Sequence, residues 1–420
     1  SFEDYSKFTK GSIILSKNMS PNLAILIRKS KGLVSESGSA LSHISIIARE
    51  ACVPCFVQAK INRKIKDGQY VELNGKTGNI RLIDKFFPVE KEIKENKIYV
   101  AKQLHDQISE NREGISKDIS KINISDDEKK EEIVWIDKID PKSDVYGSKA
   151  TNLSILSKDY DVPNGFCVIS NILEQINNLK NISELKSKLN ESKKDIFALN
   201  EISKKLRENI INMELSKDLK DKLLINYEIL NSRSLAVRSS SSFEDQKDVS
   251  FAGQFDTYLD INSFDQLVEA VKKCWASFYN TRSIVYRFEN NINDDLIKMS
   301  VLVQDMIEAK YSGIIFTNNI DNSDTILLEV VPGMYENLAL GKISSSSYIL
   351  NKENLSILGK REEFEFDEIL LRNISSIGLE IEEKLGKGED IEWCVDKEGK
   401  IWILQVKPIS AMKNKCSIER

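Results

Sequence analysis

The chain has 420 residues, of which 41% are hydrophobic and 30% are charged, and its formal net charge is −5. This length exceeds what one hydrophobic core supports and predicts two or three domains. Its apolar runs are far shorter than a membrane span, and no basic stretch is interleaved with aromatic residues, which argues against membrane and nucleic-acid-binding proteins. Six scattered cysteines, most of them in apolar stretches, are typical of reduced thiols and indicate a cytoplasmic location.

Residues 1–84 are expected to form the first domain, a small β/α module. Ser20 and Pro21 are typical of a helix start, and Gly32 of a helix end. The alternating pattern around Asn74-Gly75 indicates a closing hairpin. Strands are expected at 12–16, 33–34, 55–57, 70–73 and 80–83, and helices at 20–31 and after residue 42.

One of only two histidines, His43, lies where the small-residue loop 36–42 leads into a predicted amphipathic helix. The first turn of a helix exposes unpaired N–H groups and the positive end of the helix dipole. Both favour an anion, so a phosphorylated imidazole would be stabilised there. The pattern makes His43 a candidate phosphate carrier, although an ordinary helix-terminal histidine fits it as well.

Residues 85–132 are rich in charged side chains and are expected to be a partly helical, solvated linker that includes the other histidine, His105. Residues 133–412 alternate strand and helix patterns, which predicts an α/β or α+β domain of enzyme size, and 413–420 are a tail. Strands are expected at 133–136, 165–169, 235–238, 257–259, 301–304, 313–317, 326–331, 390–395 and 401–405. Helices are expected near 148–158, 182–229, 264–290 and 367–385.

Several motifs in this domain have the chemistry of a nucleoside triphosphate site. Lys149 follows a glycine turn that lacks the spacing of a P-loop, so it is a weak signal alone. Arg238 ends a strand before four serines, as bidentate phosphate binding requires, although a plain surface loop is the alternative. In the segment 250–257, Gly253 allows backbone N–H groups to approach an anion, and Thr257 adds a hydroxyl.

Polar residues on later strands complete the candidate site. Gln304 and Glu329 would be polar groups of an apolar nucleotide cleft or, equally, satisfied buried residues. If residues 397–400 form the turn of a hairpin, Glu392 lies opposite Gln405, and Lys407 shares their face. A carboxylate, an amide oxygen and an ammonium group in this arrangement would hold Mg²⁺ and a triphosphate, whereas a solvated hairpin is the alternative.

Together these stretches resemble the dikinase superfamily, which includes phosphoenolpyruvate synthase, pyruvate phosphate dikinase, rifampin phosphotransferase and α-glucan water dikinase. Residues 36–50 resemble its pattern Gly-Gly-x-Thr-Ser-His-Ala-Ala-Ile-x-Ala-Arg-Glu, and 236–240, 250–257, 390–393 and 404–408 match its nucleotide-binding motifs in order. The resemblance implies a swivelling phosphohistidine domain, a charged linker and an ATP-grasp-like nucleotide-binding domain, in a multidomain α/β and α+β protein.

The resemblance also implies roles for individual residues. His43 would be the phosphorylated residue, and Glu392 and Gln405 would bind Mg²⁺. The implied ATP-binding residues are Lys149, Arg238, Gly253, Thr257, Gln304, Glu329 and Lys407.

Three positions depart from the family pattern. The threonine two places before the histidine is Leu41, which removes a hydroxyl through which regulation could act. The family's Gly-Leu-Gly-Glu is replaced by a sequence with Tyr335 in the third position, and the closing arginine is Lys407. Because lysine lacks the bidentate fork of arginine, ATP affinity or turnover is expected to differ.

The expected function is that of an ATP-dependent phosphotransferase that phosphorylates its own His43 from Mg-ATP and releases AMP and phosphate. The phosphoryl group would then pass to an acceptor, in the manner of phosphoenolpyruvate synthase or water dikinases. A rifampin-type or glucan kinase of the same mechanism is one alternative. A nucleotide-binding half of a split dikinase, without turnover and with its acceptor domain on a separate chain, is another.

Overall fold

The computed structural model describes a defined part of the chain. The described residues are 8–20, 23–38, 42–61, 65–74, 79–83, 132–169, 182–193, 195–243, 245–246, 249–250, 254–294, 297–319, 322–335 and 345–409. The chain divides into two compact units, one made of residues 1–62 with 132–420 and the other of 63–131. The predicted domain boundaries at 84, 132 and 412 stay predictions.

The amino-terminal module contains a small parallel sheet. Its strands, in the spatial order β1-β2-β3, are β1 (Ile13–Ser16), β2 (Gly32–Ser35) and β3 (Cys55–Phe56). Helix α1 (Ala24–Ile27) is shorter than predicted, and helix α2 (His43–Glu50) begins at the predicted histidine. The apolar side chains of α2, including Ile44 and Ile47, pack into a core with residues from β1, β2 and α1.

The second unit contains the predicted hairpin. Strands β4 (Tyr70–Asn74) and β5 (Asn79–Ile83) pair antiparallel, with Tyr70 opposite Ile83. Residues 84–131 lie outside the described residues, so the predicted partly helical linker stays a prediction.

The first half of the large domain is a five-stranded antiparallel sheet with helices packed against it. Its strands have the order β11-β8-β12-β7-β6. They are β6 (Ile133–Trp135), β7 (Gly165–Val168), β8 (Leu235–Ser241), β11 (Thr257–Ile261) and β12 (Met299–Asp305), while β9 (Asp245–Gln246) and β10 (Val249–Ser250) form a separate pair. The helices are α3 (Gly147–Leu156), α4 (Ile182–Glu191), α5 (Ile196–Ile211), α6 (Lys217–Leu230), α7 (Phe264–Ala276) and α8 (Thr281–Glu289). The fully buried Trp275 and Phe278 lie in the core that the sheet shares with these helices.

The second half is a six-stranded antiparallel sheet in the order β16-β15-β14-β13-β17-β18. Its strands are β13 (Ala309–Phe316), β14 (Thr325–Pro332), β15 (Ser346–Asn351), β16 (Ile357–Arg361), β17 (Glu389–Asp396) and β18 (Ile401–Pro408), with helix α9 (Glu368–Leu385). Helix α3 joins the two sheets, because Ala150 N donates to Ser240 Oγ of β8 (3.2 Å) and Asn152 Nδ2 donates to the Val406 carbonyl of β18 (2.9 Å).

All nine strands predicted for the large domain are present, and the expected mixed α/β architecture is confirmed. The predicted helix 182–229 is wrong in extent, because turns divide it into α4, α5 and α6. Likewise 264–290 is two helices, since a 3₁₀ turn, Ser277–Tyr279, separates α7 from α8. Strands β9, β10, β15 and β16 were not predicted.

Within the described ranges four cysteines are free thiols, and three of these, Cys167, Cys274 and Cys394, are buried. The expectation that every cysteine is reduced is wrong for Cys52, which is disulfide-bonded. Across the described ranges, no helix combines the length and the apolarity that crossing a bilayer requires.

Candidate nucleotide site

A cavity of about 550 Å³ opens between the two sheets of the large domain. This volume lies within the range typical of small-molecule and cofactor sites. Seven of the ten predicted site residues line it: Lys149, Arg238, Thr257, Gln304, Glu392, Gln405 and Lys407. The fold therefore brings together side chains that lie up to 258 positions apart in the sequence, from Lys149 to Lys407.

Arg238, in the middle of β8, connects the two sheets through its guanidinium group. Its Nη1 donates to the Leu404 carbonyl (2.7 Å), and its Nη2 donates to Glu392 Oε2 (3.0 Å) and to Gln405 Oε1 (2.8 Å). Charge-assisted bonds of this kind are among the strongest in proteins. The guanidinium is thereby fixed at the cavity wall.

The carbonyl of Leu404 is available to Arg238 because of a β-bulge. Trp393 pairs with Ile403, whereas the neighbouring Glu392 pairs with Gln405, so Leu404 has no direct partner on β17. Bulges locally interrupt the ladder of backbone hydrogen bonds and are common beside functional sites. Here the interruption frees an acceptor for the arginine.

Strand register explains why the polar side chains share one face of the six-stranded sheet. Glu329, Ile314, Glu392 and Gln405 are successive partners across β14, β13, β17 and β18. Directly paired residues project from the same face of a sheet. The predicted pairing of Glu392 with Gln405 is confirmed.

Lys407 lies on the same face and forms an ion pair with Asp390. Its Nζ is 3.0 Å from Asp390 Oδ2, and the two side chains are only 12% and 3% exposed. Because the pair is directly cross-strand, each side chain fixes the other. The buried Asp390 therefore fixes the position of the Lys407 side chain, which lines the cavity.

Lys149 enters the cavity from the first turn of α3. The helix begins at Gly147, whose φ of +74° favours glycine and where a Cβ would collide with the backbone of Ser240. The Nζ of Lys149 donates to the Ser239 carbonyl at 3.0 Å. The glycine turn thus sets the lysine against the strand that carries Arg238.

The other predicted residues are placed differently. Gln304 is buried and donates through Nε2 to the Pro163 carbonyl (3.2 Å). The carboxylate of Glu329 accepts from Tyr335 Oη (2.8 Å) and Ser345 Oγ (2.7 Å), and Glu329 is not among the residues that line the cavity. Gly253 and the side chain of His43 lie outside the described part of the structure, so their predicted roles, like those of the other site residues, stay predictions.

Arg282, at the start of α8, is a cavity residue that the sequence analysis missed. Its Nη2 donates to Asp256 Oδ1, and its Nε donates to the Gln254 carbonyl (3.1 Å). Asp256 also accepts from Asn280 and Tyr258. No sequence pattern predicts that Arg282 lies in the same cavity as Arg238, because its position there depends on tertiary contacts with Gln254 and Asp256.

The side-chain oxygen atoms of Glu392, on β17, and Gln405, on β18, are suitable ligands for Mg²⁺. Glu392 Oε2 and Gln405 Oε1 both lie within hydrogen-bond distance of one atom, Arg238 Nη2, so the two oxygens converge on a single positively charged point. Carboxylate and amide oxygens are hard ligands of the type Mg²⁺ prefers, with phosphate and water oxygens supplying the rest of its shell. These residues therefore fit a cation shared with a bound polyphosphate.

Asp305 also lines the cavity, and the ionisation of its carboxyl group makes the stability of the protein depend on pH. Burial raises the pKa of its carboxyl group, and a hydrogen bond with Ser232 partly opposes that shift. The folded protein thus binds a proton that the unfolded chain releases, so stability falls as pH rises from the unfolded pKa through the folded pKa.

We expect Asp305→Asn to remove this loss of stability. The free energy of unfolding of the variant, relative to that of the wild type, should be higher near pH 8 than near pH 4, roughly the unperturbed value for aspartate. Urea unfolding at several pH values measures the difference. A difference that stays constant over this range would contradict the account.

The amino-terminal module reaches the same cavity through α2. Ser42, whose Oγ accepts from Ser45 N (3.3 Å) and caps the helix, lines the cavity together with Ile44 and Ile47. The residues immediately before and after His43 therefore both face the cavity that holds Arg238.

Comparison with protein families gives two matches. Residues 8–78 match the mobile domain of PEP-utilising enzymes, and residues 143–363 and 358–419 match the pyruvate phosphate dikinase AMP/ATP-binding domain. The matched segments correspond to the amino-terminal module and the large domain around the cavity.

Similar curated proteins include longer enzymes. The chain is 31% identical over 323 residues to a probable phosphoenolpyruvate synthase of Methanocaldococcus jannaschii. This alignment covers 67% of this chain and 27% of that protein. It is 30% identical over 301 residues to rifampicin phosphotransferase of Bacillus subtilis, covering 63% and 34%. The chain thus spans less than half the length of either relative. Among solved structures, the D-alanine-D-alanine ligase of Coxiella burnetii gives a TM-score of 0.24 at 10% identity, covering 51% of this chain and 49% of that one, a likeness too low to support a conclusion.

Proposed function

Since the chain belongs to the pyruvate phosphate dikinase AMP/ATP-binding family, as its motifs predicted, we propose that it is an ATP-dependent phosphotransferase of the dikinase type. In this proposal the large domain binds Mg-ATP, and His43 accepts the β-phosphoryl group. AMP and phosphate are released, and the phosphohistidine passes its phosphoryl group to an acceptor. A reaction that draws on ATP agrees with the predicted cytoplasmic location.

One observation carries the proposal. Ser42 and Ile44, the neighbours of His43 on either side, line the same cavity as Arg238, Glu392 and Gln405. A carrier histidine must come within bonding distance of the reacting phosphorus, and holding both reactants in place supplies much of the rate enhancement. The position of α2 supports this step.

The residues of the cavity would have different roles in binding Mg-ATP. Lys149, Arg238 and Lys407 would bind the phosphate oxygens, and Glu392 and Gln405 would hold Mg²⁺, which neutralises phosphate charge when bound. In phosphoryl transfer, positioning and charge stabilisation provide most of the catalysis. Thr257, Gln304 and Gly253 would complete the nucleotide site, with Glu329 supporting it through Tyr335.

The transfer step requires a neutral imidazole at His43. A bond forms between an imidazole nitrogen and the β-phosphorus while the bond from that phosphorus to the oxygen shared with the α-phosphate breaks, so AMP leaves. Water then removes the γ-phosphoryl group as phosphate. The N-terminal end of α2 would stabilise the negative charge that remains on the histidine.

The acceptor distinguishes the remaining candidates. Pyruvate with water, a small antibiotic-like hydroxyl compound and a glucan would each use the same histidine. A non-catalytic or split form, in which a separate chain supplies the acceptor domain, is a second candidate. It is favoured by the lysine at position 407 and by the tyrosine at position 335, the two departures from the family pattern in the nucleotide-binding domain. Release of AMP by the isolated chain would argue against that form.

Product analysis tests the proposal. With Mg-ATP, the wild type is expected to form AMP and phosphate in equal amounts, and His43→Ala none above background. His105→Ala is the matched control and should behave as the wild type, because His105 is the only other histidine. ADP as the nucleotide product, or unchanged AMP formation by His43→Ala, would overturn the proposal.

A further inference from the structure

Tyr335 lines the cavity at a position where the family pattern has glycine, and the proposed reaction assigns it only the contact with Glu329. Its surroundings are well defined in the structure. Tyr335 Oη donates to Glu329 Oε2 (2.8 Å), and Ser345 Oγ donates to Glu329 Oε1 (2.7 Å). Because Glu329 is buried, its carboxylate holds the phenol in one orientation.

The ring of Tyr335 belongs to a small apolar cluster, which we call the docking seat. The seat consists of Ile314, Phe316, Leu327, Tyr335 and Ile409. Ile46, from helix α2 of the amino-terminal module, packs against it. Ile314 and Phe316 are buried in this arrangement. The docking seat is therefore a contact between the amino-terminal module and the large domain.

Strand register relates the seat to the polar part of the cavity. Ile314 is the direct partner of Glu392, and Phe316 is the direct partner of Asp390, so the seat shares a face with the residues proposed to bind Mg²⁺ and phosphate. On α2, His43 precedes Ile46 by three residues, which is about one helical turn. A module held by Ile46 on the seat thus has the backbone of His43 beside the nucleotide cavity.

A second contact between the module and the large domain is weaker. Arg28 lies with its Cζ 5.5 Å from the ring centroid of Tyr286, and its Nε is 3.9 Å from Glu289 Oε2. Both charged side chains are more than a third exposed, and exposed ion pairs contribute little. The docking seat is therefore the main contact between the module and the large domain. The Arg28–Glu289 pair forms only when the two are in contact, so it can be used to measure docking.

We propose that Tyr335 is a positioning residue that holds helix α2 at the nucleotide cavity by completing the docking seat for Ile46. Glu329 acts through Tyr335, because it fixes the ring against Ile314 and Phe316. The proposal rests on the proposed function for its purpose, since docking brings His43 to the nucleotide. The docking itself is measurable without any reaction.

The experiment uses the full chain with the reporter substitution Arg28→Lys. A carbodiimide joins an amine to a carboxylate in direct contact, so the yield of the crosslinked peptide containing Lys at 28 and Glu289 measures docking by mass spectrometry. Adding Tyr335→Gly or Ile46→Ala should lower this yield about tenfold and about threefold, respectively, as lost apolar burial predicts. Tyr335→Phe keeps the ring and should lower it about twofold, the effect of one lost hydrogen bond.

Matched controls separate docking from general damage. Tyr348→Phe removes the 3.1 Å bond from Tyr348 to Glu362 away from the seat, and Ile229→Ala shortens an exposed isoleucine. Neither should change the crosslinking yield. Ile46→Ala should slow single-turnover release of AMP by the factor found for the yield and leave ATP affinity unchanged, since Ile46 does not line the cavity.

Unchanged yields in both Tyr335→Gly and Ile46→Ala would overturn the proposal. So would reduced ATP affinity in Tyr335→Gly with a normal yield, because Tyr335, which lines the cavity, would then act on the nucleotide and not on docking. If the yields fall as expected but the wild type releases no AMP, the docking role stands and the proposed function fails.

Discussion

Arg238→Met is expected to slow phosphoryl transfer to His43 by roughly 10²–10³-fold, the effect of removing one preorganised donor from a charge-stabilising site. Methionine preserves the bulk of the side chain and removes its charge. The loss should be large because hydrogen bonds to the Leu404 carbonyl, Glu392 and Gln405 fix the guanidinium at the cavity wall, so its charge is positioned before the nucleotide binds. Single-turnover measurement of AMP formation gives the rate.

Arg233→Met is the matched control for this variant, because Arg233 is an exposed arginine just before the same strand. It should leave the rate within about twofold of the wild type, as surface substitutions generally do. A rate for Arg238→Met that matches the control would show that the arginine does not act on the phosphates. Its contacts would then be purely structural.

Lys407→Met is expected to lower the free energy of unfolding by about 3 kcal/mol, the cost typical of removing one partner from a buried ion pair. Asp390 is 3% exposed and lies 3.0 Å from the lysine, so its carboxylate would lose the nearest balancing charge. Urea unfolding followed by tryptophan fluorescence measures this, since Trp393 and Trp402 lie on the same two strands.

The double variant Lys407→Met with Asp390→Asn separates charge from packing. If the buried charge causes the loss, neutralising Asp390 should restore about half of it or more. Lys407→Arg should retain the stability, because the charge is kept. Equal losses in the single and double variants would contradict the ion-pair explanation.

The sequence predicted that Glu392 pairs with Gln405, and the structure contains this pair, but the register assumed between the pair and the turn is only partly correct. Counting outward from a turn at 397–400 places Glu392 opposite Gln405, and that pair is present. Near the turn, however, Val395 pairs with Ile401, one residue out of the expected register. The bulge at Leu404 restores the alignment, and no residue there signals a bulge in the sequence. In the structure it is recognised by the register shift and by the Leu404 carbonyl, which accepts from Arg238 on the other sheet.

Other features depended on tertiary contacts that a local pattern does not contain. Strand β15 begins within a run of serines, 344–347, which has low strand propensity, and its pairing with β14 stabilises it. Arg282 reaches the cavity only through the packing of α8. By contrast, the position of α2 was predicted from the sequence, because the spacing of its apolar residues acts locally; its cap, Ser42, is seen only in the structure.

The most direct measurement is the fate of ATP labelled with ³²P at the β or the γ position. With β-labelled ATP, the wild type should retain label that is lost in acid and stable in base, as a phosphohistidine is, and His43→Ala should retain none. With γ-labelled ATP, the label should leave as free phosphate once turnover is complete. Label that persists on His43→Ala, or that comes only from the γ position, would contradict the account.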